Sequence, residues 1–449
     1  MRVRMLGIML FIVMITSFAF AEPARDEKAA SSPGGVRIVQ FSGKLVAQLY
    51  QPGVINSYNK IGLFLTHPNS NYFDHSLVKY MTERGFTVMV ANTRYTDHKL
   101  ADIYWDNVAL DMKAAISYYK NLPGIEKIIL IGHSGGGPAS AFYQNIAENG
   151  AAVGQGPEKI WPLGNNLNGL PKADGLILLD SHLGYAFAQL VNYDPSVVSE
   201  GPLAPQEIDR SLDMYAEANG FSATGSVYTD EWKARYYLGQ YKRNDQLLNF
   251  ALGRWDALKN KTANYPDSEP LVIPRLSSRL FLSDLTAFSH TKKAYPLLSV
   301  RGVENTVIQS VRTAGIDKNG RLSGESNNRN YADGVVATDI VNFLSTLAIK
   351  VNSNFKITAD DIIGVDFNSS NTSTPGNLEG VHVPVLIMSM TAHYWIVPSE
   401  IEYEHTASKD KTLVYVEGAS HGLSESAPKY GDTQAMIADC ITNWVSQRY

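Results

Sequence analysis

From Val36 onward the chain alternates short apolar runs with segments whose apolar residues recur every three or four positions. "VRIVQFSGKLVAQLY" has two strand-like halves about Ser42-Gly43 and predicts a hairpin. "IGLFLTHP" and "GFTVMVANTRY" are apolar almost throughout, and "HSLVKYMTERG" between them has helical spacing that stops at Gly85. Val108, Met112, Ala115, Tyr119 and Leu122 then repeat at steps of four and three, predicting one buried helical face that ends at Pro123-Gly124. "KIILI", a glycine-rich corner, another helical stretch and "GLILLD" follow. Strands that are apolar on both faces and alternate with helices predict an α/β fold. Its sheet should be mainly parallel and covered on both sides, with the first hairpin as an antiparallel edge.

After Asp180 this rhythm stops for roughly two hundred residues, a length that only a separate structural unit fills. The interval holds a helix-like stretch, "DEWKARYYLGQYKRNDQLLNFALGRWDAL", and polar loops such as "DFNSSNTSTPGN", with no internal repeat. The rhythm resumes with "VPVLIMSM", a helical stretch near Glu400, "TLVYVEG" and a last helix ending near Trp444. Because the two sheet segments cannot fold apart, the interval predicts a mostly helical lid or cap inserted in one domain. The expected organisation is a signal peptide over 1–21, a flexible lead-in over 22–35, sheet core over 36–180, a lid over 181–380 and sheet core again over 381–449.

Composition adds limits. With 449 residues, 44% of them hydrophobic and 18% charged, the chain has material for a large core and is not disordered as a whole. A net charge of −5 with interspersed signs offers neither a basic patch for nucleic acid nor an acidic tract. The first residues, "MRVRMLGIMLFIVMITSFAFAEP", carry two arginines, an apolar run from Leu6 to Phe18 and the small-x-small site Ala19-Phe20-Ala21. That pattern predicts export to the periplasm or beyond with cleavage after Ala21, and the run is shorter than the ~20 residues of a stable membrane anchor. Cys440 is the single cysteine, so no internal disulfide can form, and its helical setting beside apolar residues suits a small hydrophobe.

The candidate chemistry lies in "IILIGHSGGGPASAFYQNIAE", Ile128 to Glu148. Gly132, Ser134 and Gly136 spell G-x-S-x-G, a short pattern whose weight comes from its setting between an apolar strand and a helix. A serine hydroxyl is a poor nucleophile at neutral pH and must be held clear of its strand, beside a base and beside donors for an oxyanion. A tight strand-to-helix corner does this. It forces the serine into a strained backbone and leaves no room for side chains two residues either side. Pro138 fits the helix's first turn. A phosphate-binding loop is disfavoured, since no lysine follows as in G-x-x-x-x-G-K-[ST] and "GHSGGG" does not fit G-x-G-x-x-G.

On these residues the chain resembles the α/β-hydrolase superfamily, over about 36–183 and 381–449 but not the insertion. The resemblance implies Ser134 as nucleophile and the N–H of Gly135 as one oxyanion donor. It also implies a base in the loop after the last strand, where only His421 of the ten histidines stands, between the small residues Ser420 and Gly422. His133 and His393 are expected to support the site. The second oxyanion donor comes in that superfamily from the loop after the third strand. Here it reads "FLTHPNSNY", with Pro68 where glycine is usual, so the backbone N–H of Asn69 is expected to serve.

The triad acid departs from the pattern. In "SMTAHYWIVP" Tyr394 stands at the common position, and Asp410 precedes the last strand, at the wrong end of the sheet. Some superfamily members place the acid at the end of the strand after the nucleophile helix, which implies Asp180 here, with Glu400 or a Ser-His dyad as alternatives.

The resemblance implies a serine hydrolase cleaving a carboxylic ester, small or lipid-like, through an acyl-enzyme, with no cofactor, and the N-terminal pattern predicts that it is exported. Amidase, thioesterase or peptidase activity on the same fold is the alternative, as is a non-catalytic binding protein with a decayed site. No metal is expected, since no spacing such as H-E-x-x-H occurs. The tyrosine-rich "ARYYLGQY" in the insertion either lines an apolar pocket or forms the lid's own core.

Overall fold

Strands in chain order are β1 Arg25–Asp26, β2 Val36–Gln40, β3 Val46–Tyr50, β4 Ile61–Thr66, β5 Thr87–Ala91, β6 Lys127–His133 and β7 Gly175–Leu179. They continue with β8 Val197–Glu200, β9 Pro205–Ile208, β10 Pro270–Leu276, β11 His290–Ser299, β12 Gly302–Gln309, β13 Gly334–Asp339, β14 Lys350–Ile357, β15 Ile362–Asp366, β16 Val385–Met390 and β17 Lys411–Val416. The structure, a computed structural model, describes residues 25–26, 34–41, 45–200, 205–222, 225–276, 279–313 and 334–449. The expected signal peptide, most of the lead-in and the Ser42-Gly43 turn lie outside these residues.

Among the described residues the main sheet has 11 strands in the order β1-β2-β3-β5-β4-β6-β7-β16-β17-β11-β12. Pairing is parallel from β5 through β4, β6, β7, β16 and β17 to β11, and antiparallel at both edges. The expected α/β class, with a mainly parallel sheet and an antiparallel first hairpin, is what forms.

The apolar runs bury both faces because neighbouring side chains point to opposite sides. Ile128 and Leu130 face the layer of helices α2 (Trp105–Lys120) and α3 (Gly136–Asn149), while Ile129 and Ile131 face α1 (Leu77–Glu83) and the C-terminal helix Thr433–Ser446. Each fully buried branched side chain contributes about 1.5–3 kcal/mol, so the core is held by many such terms. The stripe expected on α2 is the face it buries: Val108, Met112, Ala115 and Tyr119 are all within the core. Gly62 in β4 makes room for it, since a β-carbon there would stand 2.7 Å from the Tyr119 ring. The Tyr119 hydroxyl is satisfied by the Thr87 carbonyl at 2.8 Å.

Adjacent strands β7 and β16 are joined through residues 180–384, and this interval departs from the expected mostly helical lid. It contains helix α4 (Tyr185–Leu190), the 30-residue helix α5 (Asp230–Lys259), and three two-stranded antiparallel pairs, β8-β9, β10-β13 and β14-β15. In addition, β11 and β12 leave the insertion and extend the main sheet beyond β17, with Leu297 opposite Tyr415. The reason is visible in "LLSVRGVENTVIQ": an apolar and a β-branched stretch flank the two-residue loop Val300-Arg301, and Gly302, opposite Ser299, takes φ 106°, a hairpin that helical scanning passes over. The insertion's aromatics form its own core: Trp232, Tyr236 and Tyr237 on α5 are buried, Trp232 stacks on Tyr228 at 4.8 Å and Tyr237 meets Phe355 edge-on at 5.7 Å.

Candidate active site

The turn after β6 is built around three glycines. A β-carbon on Gly132 would fall 2.6 Å from the Gly136 carbonyl oxygen and the Gly137 α-carbon, one on Gly136 would collide with the Thr66 carbonyl, and one on Gly137 with the Ser181 hydroxyl. The corner therefore closes against its own helix, against β4 and against the loop after β7. Ser134 takes φ 55°, left-handed backbone that costs a non-glycine residue about 1–2 kcal/mol. The ladder tolerates that strain because Ser134 N–H donates to Leu179 O at 3.2 Å and Gly137 N–H to Ser134 O at 3.1 Å.

Strand ends bring the partners to this corner. His421 follows β17, in a loop pinned by Gly418 N–H to Thr391 Oγ1 at 2.7 Å and Ser420 N–H to Ser424 O at 2.8 Å. Its Nε2 accepts from the Ser134 hydroxyl at 2.9 Å, and its Nδ1–H donates to Asp180 Oδ2 at 2.6 Å. Asp180, at the end of β7, also sits in left-handed backbone, φ 42°, with its side chain fully buried. Its Oδ1 accepts the N–H of Met390 at 3.2 Å. Burial opposes its charge, but His393 and His421 together outweigh that and hold its carboxyl well below the usual carboxylate range.

The structure thus brings Ser134, His421 and Asp180 together and leaves Glu400 out. Glu400 is buried on helix Ile396–His405 and accepts the backbone N–H groups of Lys292 and Lys293 in β11, at 2.9 and 3.2 Å. It fastens the added hairpin to the core, a role invisible without knowing that β11 joins the sheet. Tyr394 is buried and accepts from Arg279 Nη1 at 2.7 Å, and Asp410 pairs with Arg448 at 2.6 Å near the start of β17.

Neighbouring histidines brace His421. His133 Nε2 lies 2.7 Å from the His421 carbonyl, so it carries the proton and donates, leaving Nδ1 to accept from His75 Nε2–H at 3.1 Å. His75 Nδ1 in turn accepts Leu77 N–H at 3.3 Å. One tautomer satisfies the whole row with neutral rings. Burial first, then His421, lowers the pKa of His75 to about 4 and that of His133 well below its ordinary value. The position of His133 in G-x-S-x-G suggested support; its link to His75 crosses 58 residues and had no sequence signal.

His393 Nδ1 stands 2.6 Å from the same Asp180 oxygen as His421, and the two rings stack with centroids 4.4 Å apart. Asp180, His393 and His421 are the one group of potential metal ligands among the described residues. Two ligands on a tetrahedral metal at about 2.0–2.2 Å stand more than about 3 Å apart, so both ring nitrogens, at 2.6 Å, stand too close to the Asp180 oxygen to share a metal with it.

The backbone N–H of Asn69, expected as an oxyanion donor, is engaged within its own turn. The N–H of Asn69 is turned onto His67 Nδ1 at 3.2 Å, beside that of Ser70 at 2.9 Å. Pro68 has no N–H of its own, and the next two amides of the turn fold back on the His67 ring. The N–H of Gly135 meets no protein acceptor among the described residues.

Serine hydroxyl, imidazole and carboxylate in this order can generate a nucleophile without a cofactor. No family model matches the chain, and no curated protein matches it. Among solved structures it is similar to Est1E from Butyrivibrio proteoclasticus, at 11% identity over 94% of this chain and 98% of that one, TM-score 0.37. It is also similar to DcsB in complex with its substrate analogue (12%, 95% and 99%, TM-score 0.40) and to a proline iminopeptidase from Mycobacterium smegmatis (13%, 95% and 100%, TM-score 0.38). At that identity and TM-score the likeness extends to neither substrate nor mechanism.

Proposed function

On the α/β-hydrolase scaffold that this chain builds, we propose that it is a serine hydrolase whose substrate is a carboxylic ester. The observation that carries the reading is the unbroken path from Ser134 Oγ to His421 Nε2 at 2.9 Å and from His421 Nδ1 to Asp180 at 2.6 Å. Ser134 attacks the carbonyl carbon as its proton passes to His421. The Gly135 N–H holds the developing oxyanion, and His421 then gives the proton to the leaving alcohol. Water enters by the same route and releases the acid. Asp180 keeps Nδ1–H in place and offsets the charge that the ring gains. No step calls for a metal or a cofactor. The small-molecule or lipid-like nature of the ester, and export directed by residues 1–21, belong to the same proposal.

The test is a panel of ester, thioester, amide and lactone substrates given to the mature protein and to Ser134→Ala. Turnover of esters that disappears in the variant is expected. Turnover confined to amides or thioesters would reassign the bond, and a folded protein inert to all four classes would favour the non-catalytic alternative.

A further inference from the structure

We propose that the second donor to the oxyanion is a side chain, the Nε2–H of His67, with the hydroxyl of Tyr185 beside it. The inference rests on Ser134 being the nucleophile. Three observations carry it. First, the amides of the turn after β4 are already engaged: Pro68 has none, and those of Asn69 and Ser70 donate to His67 Nδ1 at 3.2 and 2.9 Å. Second, a ring nitrogen that accepts two N–H groups carries no proton, so in the neutral ring the proton is on Nε2, which then only donates. Burial first, then the neighbouring His421 and His75, lowers the pKa of His67 to about 3, which keeps the ring neutral at ordinary pH. Third, this nitrogen is aimed at the residue after the nucleophile. A β-carbon on Gly135 would lie 2.6 Å from His67 Nε2 and 2.5 Å from Tyr185 Oη.

Neither polar atom is otherwise used. His67 Nε2–H donates to no protein group among the described residues, and the Tyr185 hydroxyl has a single long contact, 3.5 Å to Asn69 Oδ1. Burial raises the Tyr185 pKa well above its ordinary value, so it too remains a donor. Tyr72 is the other hydroxyl nearby and hydrogen-bonds the Ser134 side chain, but its proton is donated to the His133 carbonyl at 3.1 Å. The crowding also accounts for glycine at 135, a position that the turn itself leaves free to carry a side chain.

The test is the rate at which a fluorophosphonate labels the purified protein. In that reaction Ser134 Oγ bonds to phosphorus, fluoride leaves with its electron pair, the hydroxyl proton passes to His421, and the phosphoryl oxygen takes up the charge that the donors hold. His67→Asn keeps an acceptor near the Nδ1 position but has no Nε2–H, whereas His67→Gln reaches the Nε2 position with an amide N–H and gives up the acceptor. Losing an oxyanion donor lowers rates by about 10²–10³-fold. His67→Asn should label roughly 10²-fold slower, Tyr185→Phe at least about tenfold slower, and His67→Gln should recover part of the loss. A His67 that merely braced the turn would give the reverse order, with Asn near wild type and Gln impaired. Circular dichroism and thermal melting report whether each variant is folded; should His67→Asn unfold, the isosteric Tyr185→Phe decides. Wild-type rates in folded His67→Asn and Tyr185→Phe would overturn the proposal. A wild type that does not label, or labelling that survives Ser134→Ala, would instead overturn Ser134 as nucleophile.

Discussion

Replacing Asp180 by asparagine alters one atom of the site and should reverse its protonation. In the wild type Oδ1 accepts the Met390 N–H at 3.2 Å, while Oδ2 faces His421 Nδ1 and His393 Nδ1, each at 2.6 Å. The asparagine side-chain oxygen must stay on the Met390 side to keep that acceptor, which turns the NH₂ group toward the rings. His421 Nδ1 then becomes an acceptor and its proton moves to Nε2, the nitrogen that should take the proton of Ser134. A wrong tautomer of this kind lowers kcat by about 10⁴-fold, or about 5.5 kcal/mol of transition-state stabilisation. The assay is kcat on the best ester of the panel, with the thermal midpoint measured alongside. Glu400→Gln is the companion variant: it loosens the anchoring of β11 and lowers stability, yet kcat should stay within about tenfold of wild type, since the residue touches no reacting group. Near-wild-type turnover in folded Asp180→Asn, together with loss of turnover in folded Glu400→Gln, would refute the assignment.

Acid should destabilise the fold in a defined window. His67 and His75 stay neutral in the native state down to about pH 3 and about pH 4, against an ordinary value of 6.5. The unfolded chain takes up those protons first, so this stability is present above pH 6.5 and is lost as pH falls toward the native values. His67 alone removes about 2 kcal/mol by pH 5, and His75 adds to it. Urea midpoints that stay flat from pH 7.5 to pH 5 would contradict this. Gly132→Ala puts a β-carbon 2.6 Å from backbone atoms of Gly136 and Gly137. It should cost about 1–3 kcal/mol in denaturant unfolding and at least about 10²-fold in kcat; a variant with unchanged turnover would mean that the corner can relax. Ser134→Gly should be more stable than Ser134→Ala by up to about 1 kcal/mol, because glycine relieves the left-handed backbone at φ 55°. Equal midpoints would show that no strain is held there.

What the sequence made legible was local. The apolar runs 61–66, 87–91, 127–133 and 175–179 and the glycine corner each carry their signal within a few consecutive residues, as does the small-flanked histidine after the last strand. Asp180 was legible only as a position at a strand end. What stayed hidden depends on contacts far apart in the chain. Glu400 is answered by Lys292 and Lys293 in β11, 108 and 107 residues away, and the row from His75 through His133 to His421 joins residues from distant parts of the sequence. The turn at Val300-Arg301 was short-range in kind. It lies in a stretch where one 30-residue helix dominates the periodicity, and so the insertion read as more helical than it is. The Asn69 N–H is turned onto the His67 ring, a contact within the turn that residue type alone does not reveal.

The central claim is that a hydroxyl held in strained backbone is deprotonated by His421. Its most direct measurement is digestion and mass mapping of the purified protein after exposure to a fluorophosphonate at neutral pH. The account predicts one adduct, on the peptide containing Ser134, absent in Ser134→Ala and reduced at least about 10²-fold in rate in His421→Ala. A folded protein that remains unmodified, or an adduct that maps to any other residue, would contradict it.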